Sequence, residues 1–191
     1  MWYNIRQLMA SVTSVTGKQI ILQTGEALET QTFGEKLARL LSPGHAGAGT
    51  AGPDVAANDG NDGYCLALAG DLGSGKTTFT QGLARGLGVR AAVTSPTFTL
   101  INQYRTADGR LLQHVDCYRL SNAPLEMWDV GLADLFAGGD IVVIEWADRI
   151  SGLLPDEYLD IAFRYLDDSR RELQLSAHGA RYERLLQDLL D

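Results

Sequence analysis

Gly70-Asp71-Leu72-Gly73-Ser74-Gly75-Lys76-Thr77 is the stretch on which the reading of this chain turns. It matches G-x-x-x-x-G-K-[ST], a loop whose backbone N–H groups curl round a phosphate. The glycines permit the backbone angles that bring successive N–H groups to one point. The N-terminus of the helix that follows adds partial positive charge. Lys76 in such a loop reaches the terminal phosphates, and the Thr77 hydroxyl ligates Mg²⁺. The flanks agree. Residues 64–69 are a short apolar run, consistent with a buried strand. Residues 76–87 place Phe79, Leu83 and Leu87 on one helical face, and Gly88 is placed to stop that helix.

ATP with Mg²⁺ is therefore the expected ligand, with Asp71, Leu72, Gly73, Ser74, Gly75, Lys76, Thr77 and Thr78 lining the phosphates. Such a loop also needs a second acid on a neighbouring strand, to hold the water shell of the metal. The aliphatic run 141–144 followed by Glu145 supplies one, at the end of a strand on the phosphate side of a parallel sheet. The plainer alternative is a strand-end carboxylate facing solvent. His114 and Asp116 lie two apart on another strand and share a face. Asp116 there can orient or deprotonate an attacking water, or it can pair with Arg119 or another arginine. His114 alone reads as a packed, hydrogen-bonded histidine. The segment Ser95-Pro96-Thr97-Phe98-Thr99 follows the loop's helix, where its hydroxyls can meet phosphate or metal. A structural turn built on Pro96 fits those residues equally well.

Outward from these motifs, the chain reads as alternating strands and helices. Strands are expected at 20–22, 98–104, 111–118 and 141–144, and helices at 26–41, 124–136 and 181–190. Asp108-Gly109 marks a turn between two of the strands. Residues 159–165 and 172–177 form an antiparallel pair across a turn at 167–170. The fold class that follows is α/β: a P-loop NTPase-like layered fold, with a mixed, largely parallel central sheet flanked by helices and a C-terminal antiparallel strand pair. One domain suits 191 residues. Residues 1–17 read as an N-terminal extension. Residues 42–63, mostly Gly, Ala, Pro, Asn and Asp, read as a flexible insertion that lacks the apolar surface to join a core.

The formal net charge of −8 argues against a broad face that grips nucleic-acid phosphates. Cys65 and Cys117 sit in apolar stretches and read as buried core thiols, which suits a reducing cytoplasm. No apolar run is long enough to span a bilayer, and residues 1–17 lack the core of a signal peptide.

Four motifs in order now suggest a family. They are Gly-Asp-Leu-Gly-Ser-Gly-Lys-Thr-Thr-Phe (70–79), Ser-Pro-Thr-Phe-Thr-Leu (95–100), His-Val-Asp-Cys-Tyr-Arg-Leu (114–120) and Val-Ile-Glu-Trp-Ala (143–147). Together they resemble the TsaE (YjeE) family of bacterial ATPases, over about residue 20 to the C-terminus. The resemblance implies a role in the threonylcarbamoyl-adenosine modification of tRNA, at the adenosine beside the anticodon. It implies action with the TsaB and TsaD proteins, so that tRNA is met only through the complex. It also implies that Lys76 binds phosphate, that Thr77 and Glu145 hold Mg²⁺, and that Asp116 is the catalytic carboxylate. Trp146 follows the acid as the family pattern expects. The region of Glu26 and Ala27 would approach the adenine, and Arg171 and Glu172 would lie near the nucleotide. The insertion at 42–63 and the N-terminal extension depart from the pattern without touching a motif. Two rival functions share the loop: a small-molecule kinase, which would need an arginine-bearing lid, and a binding module that holds ATP without turning it over.

Overall fold

Residues 12–42, 63–120 and 131–191 are described by the computed structural model of the chain. Their elements are β1 (Val12–Thr16), β2 (Gln19–Thr24), α1 (Ala27–Leu40), β3 (Tyr64–Gly70), α2 (Lys76–Gly86), β4 (Ile101–Arg105), β5 (Leu111–Asp116), α3 (Leu132–Ala137), β6 (Ile141–Glu145), a 3₁₀ helix (Ala147–Leu153), β7 (Tyr158–Tyr165), β8 (Arg171–His178) and α4 (Ala180–Leu190). The strands form one sheet in the order β1-β2-β8-β7-β3-β6-β5-β4.

Alternation along the strands sorts the core into two layers. Leu66 and Leu68 of β3, with Ile141 and Val143 of β6, pack beneath α1, α2 and α4. Cys65 and Ala67, with Val142 and Ile144, pack the other way, against the 3₁₀ helix and α3. Strands buried on both faces read as unbroken apolar runs, which is why β3 and β6 were legible as strands. Both cysteines are free and buried, and burial pushes each thiol up to about 12. The α1–α2 crossing is close: a Cβ on Gly82 would stand 2.0 Å from the Gln31 carbonyl oxygen, so only glycine fits there.

The parallel part of the sheet is its centre. β7, β6 and β5 run parallel to β3 or to each other, and every remaining neighbour pair is antiparallel. "Largely parallel" therefore describes the middle of the sheet and not its flanks. The expected C-terminal pair β7–β8 is present, and it continues into β2 and β1.

Three expectations need correction. Residues 12–16 belong to the sheet, because the β-branched run Val12-Thr13-Ser14-Val15-Thr16 pairs with β2 across Gly17-Lys18. The strand expected from Phe98 starts at Ile101. Residues 96–100 close a tight turn in which the Thr99 and Leu100 N–H groups donate to the Pro96 carbonyl, and Leu100 takes a φ of 66°. The helix expected over 124–136 does not run unbroken, because Gly131 takes a left-handed φ of 72° and α3 begins after it. Residues 121–130 lie outside the described residues, as do 1–11 and 43–62, which hold most of the expected extension and insertion. Among the described residues no helix is long and apolar enough to cross a membrane.

Candidate active site

β3 ends at Gly70, and the chain reaches α2 through a loop in which Gly70, Gly73 and Gly75 all take positive φ. Gly70 is required twice over, since a Cβ there would also stand 2.4 Å from the Phe163 carbonyl oxygen of β7. Asp71, Leu72 and Gly73 are exposed, Ser74 and Lys76 are buried, and Thr77 and Thr78 are half-buried at the start of the helix. Ser74 Oγ is buried with no hydrogen-bond partner. An orphaned buried hydroxyl just before a helix N-terminus suits a ligand that brings oxygen acceptors.

Lys76 is folded back over the loop. Its ammonium donates to the carbonyl oxygens of Gly70 (2.6 Å) and Asp71 (2.8 Å) and lies 3.9 Å from the centre of the Trp146 ring. Burial lowers the pKa of the ammonium, against the opposing pull of Glu145, Asp116, Asp148 and Asp71. Trp146 itself sits at φ 61°, a left-handed conformation that is costly for a bulky residue. That backbone turn carries the indole from the end of β6 over the loop.

Glu145 is 3% exposed, so it does not face solvent. The Thr77 hydroxyl lies 2.8 Å from its Oε1 and 3.0 Å from its Oε2. His114 Nε2 is 2.8 Å from Oε1 on the other side. Thr77 and Glu145 thus converge from α2 and β6, and a hydroxyl beside a carboxylate is a donor set that suits Mg²⁺ held together with phosphate oxygens. Among the described residues no group of three or more His, Cys, Asp or Glu side chains is placed to hold a metal alone. The acid-plus-hydroxyl pair is consistent with a metal that arrives with a nucleotide.

Asp116 stands in register with Glu145 on the adjacent parallel strand. Its Oδ2 accepts from the hydroxyls of Ser95 and Thr97, and its Oδ1 from the Tyr118 N–H at 2.9 Å. Among the described residues no arginine pairs with it, and Arg119 instead stacks over Phe98 with 4.2 Å between guanidinium and ring. The segment 95–99 is thus both a turn and a clamp on the acid: the Ser95 and Thr97 hydroxyls are directed at Asp116, and that of Thr99 at Asn102.

Glu26 caps α1, whose first turn touches the loop through Thr30. The Thr30 hydroxyl pairs with that of Thr24 at 2.8 Å, and its methyl stands 3.8 Å from a Cβ placed on Gly75. Ala27 opens the same turn. Arg171 stacks on Tyr165, 4.2 Å from guanidinium to ring, and the Tyr165 hydroxyl donates to the Leu72 carbonyl at 2.6 Å. Arg171 therefore lies on the rim of the loop. Glu172 does not: it points to the other face of β8 and pairs with Arg164 at 3.8 Å. The contacts of His114 with Glu145, of Trp146 with Lys76 and of Tyr165 with Leu72 were not read from the sequence. The one signal for the first was the shared face of His114 and Asp116.

The chain is similar to proteins of known family. Residues 24–173 match the model of the family described as Threonylcarbamoyl adenosine biosynthesis protein TsaE. A tRNA threonylcarbamoyladenosine biosynthesis protein TsaE from Bacillus subtilis is 46% identical over 128 residues, covering 66% of this chain and 78% of that protein. The protein of the same description from Aquifex aeolicus is 33% identical over 162 residues, covering 83% and 95%. The crystal structure of Bacillus subtilis YdiB superposes with a TM-score of 0.68 at 34% identity, over 92% of this chain and 97% of that one. With the model spanning most of the sheet and every motif of the loop's surroundings, the chain belongs to the TsaE family of threonylcarbamoyl adenosine biosynthesis proteins.

Proposed function

We propose that the chain is a Mg²⁺-dependent ATPase that supports threonylcarbamoyl-adenosine modification of tRNA, working in the cytoplasm with a TsaB–TsaD heterodimer. The observation that carries the ATPase reading is the meeting of Thr77 and Glu145 at 2.8 Å beneath the phosphate loop, with Asp116 in register beside them. In this reading the chain is one P-loop ATPase domain, and residues 42–63 are an insertion within it.

The roles follow from the atoms. The loop amides from Asp71 to Thr78 and the Ser74 hydroxyl bind phosphate oxygens. Lys76 leaves the carbonyls of Gly70 and Asp71 for the β- and γ-phosphates. Thr77 and Glu145 hold Mg²⁺, which when bound neutralises charge on those phosphates. Asp116 Oδ1 accepts a single backbone N–H and keeps a lone pair for the proton of an attacking water. The Trp146 indole shields the ammonium from water. Two arginines that could be mistaken for a kinase lid instead hold the β7–β8 turn: Arg170 pairs with Asp167 at 2.6 Å, and Arg171 donates to carbonyls of the same turn.

The test is ATP hydrolysis by the full chain with and without the TsaB–TsaD heterodimer, across a Mg²⁺ titration, for the wild type and Glu145→Ala. The expected result is Mg²⁺-dependent turnover raised by the partners, with a higher Mg²⁺ requirement in Glu145→Ala. ATP binding without turnover in any mixture would replace the ATPase by a binding module.

A further inference from the structure

His114 has no solvent exposure, yet it is a polar ring in the interior of β5. Its Nε2 lies 2.8 Å from Glu145 Oε1. A carboxylate only accepts, so Nε2 is the nitrogen that donates to it. Nδ1 is buried with no hydrogen-bond partner among the described residues. Burying an unpaired polar nitrogen is costly, and an aliphatic side chain would fill the same space without that cost. What histidine adds at this position is the one bond to Glu145.

That bond matters because of what else holds the carboxylate. Oε1 accepts from His114 on one side and from Thr77 on the other, and Oε2 also faces Thr77. A Thr77 hydroxyl that gave a lone pair to a metal would have to turn with it, and its single proton can serve only one carboxylate oxygen at a time. The His114 N–H comes from a strand interior outside the metal's reach and holds Oε1 in either state. We propose that His114 is a positioning residue for the metal–nucleotide complex: its Nε2–H holds Glu145 Oε1 in place while Thr77 takes up the metal. The proposal rests on the reading of Thr77 and Glu145 as the Mg²⁺ pair.

The experiment compares His114→Gln with His114→Asn in the full chain. A glutamine amide nitrogen reaches about as far as imidazole Nε2, whereas an asparagine amide stops near the position of Nδ1. ATP affinity is measured by calorimetry in Mg²⁺ and in EDTA, and thermal melting checks the fold. The wild type and His114→Gln should gain the same affinity from Mg²⁺. His114→Asn should lose roughly 10- to 100-fold of that gain, the usual effect of removing a hydrogen bond to a metal-holding group, with its affinity in EDTA unchanged. If His114→Asn does not fold, His114→Leu fills the space without a donor and should show the same loss. A donor-less variant that keeps the full gain overturns the proposal, and so does His114→Gln losing as much as His114→Asn. A wild type that gains nothing from Mg²⁺ overturns the metal reading itself, and the proposal with it.

Discussion

The parallel centre of the sheet and its antiparallel flank are built from similar residues and put to different use. In β3, β5 and β6 the buried set includes Gln113, His114, Asp116 and Glu145, with Ser74 and Lys76 just beyond the strand ends. In β8 and β2, which have only antiparallel neighbours, Thr24 is the buried polar side chain among the described residues, and the inward face is Ile20, Leu22, Leu173 and Leu175. Strand direction explains the contrast. Parallel neighbours end on the same side, so Gly70, Asp116 and Glu145 arrive at one edge of the sheet, where a helix N-terminus also points. Antiparallel neighbours alternate, so no such edge gathers their ends. The centre concentrates charge at a cost in burial, and the flank holds the layer that carries it.

This division can be broken most sharply at Lys76. In Lys76→Ala the ammonium over the loop is gone, and turnover should fall roughly 10²- to 10³-fold, the scale of losing one charge-stabilising donor. Melting by circular dichroism should stay near wild type. Normal turnover in a folded variant would remove the phosphate-loop assignment.

Asp116→Asn comes next. It keeps the shape and some of the hydrogen bonds to Ser95, Thr97 and Tyr118, and removes the basic carboxylate. Single-turnover hydrolysis should slow roughly 10²-fold with ATP affinity kept. Parallel losses of rate and affinity would point to uniform binding.

The flank should behave oppositely. Leu175 is fully buried in β8, and Leu175→Ala should cost about 2–5 kcal/mol of stability in urea unfolding. Turnover per folded molecule should be unchanged. A variant that stays stable but hydrolyses slowly would show that the flank takes part in catalysis. Smallest of all should be the effect of replacing residues 43–62 with a short Gly/Ser connection. A segment so poor in large apolar side chains offers little to a core, and loop length alters closure entropy only weakly. A joint fall in melting temperature and ATPase rate would show that the segment is structural.

Much of this was legible along the chain. The loop and its strand and helix, the aliphatic strand ending in Glu145, the Asp108-Gly109 hairpin and the β7–β8 pair all lay where the local pattern placed them. The errors fell where a local pattern had two meanings. Val12–Thr16 looks like an extension until β2 is there to pair with it, because an edge strand needs only a neighbour and few apolar residues. Phe98-Thr99-Leu100 carries strand-forming residues, but the Pro96 carbonyl captures the Thr99 and Leu100 N–H groups into a turn.

By itself the sequence determined which residues can do the chemistry, because glycine spacing, helical periodicity and the alternation of strands are set within a few residues of each other. Only the tertiary structure decided which of them meet. Thr77 and Glu145 are 68 residues apart, Ser95 and Asp116 are 21 apart, and the Tyr182 hydroxyl that accepts the Cys65 N–H lies 117 residues away. Such contacts leave no local signature. They come from the sheet order, which brings β5 and β6 side by side and swings α2 over them, and from the burial that leaves each polar group one partner within reach.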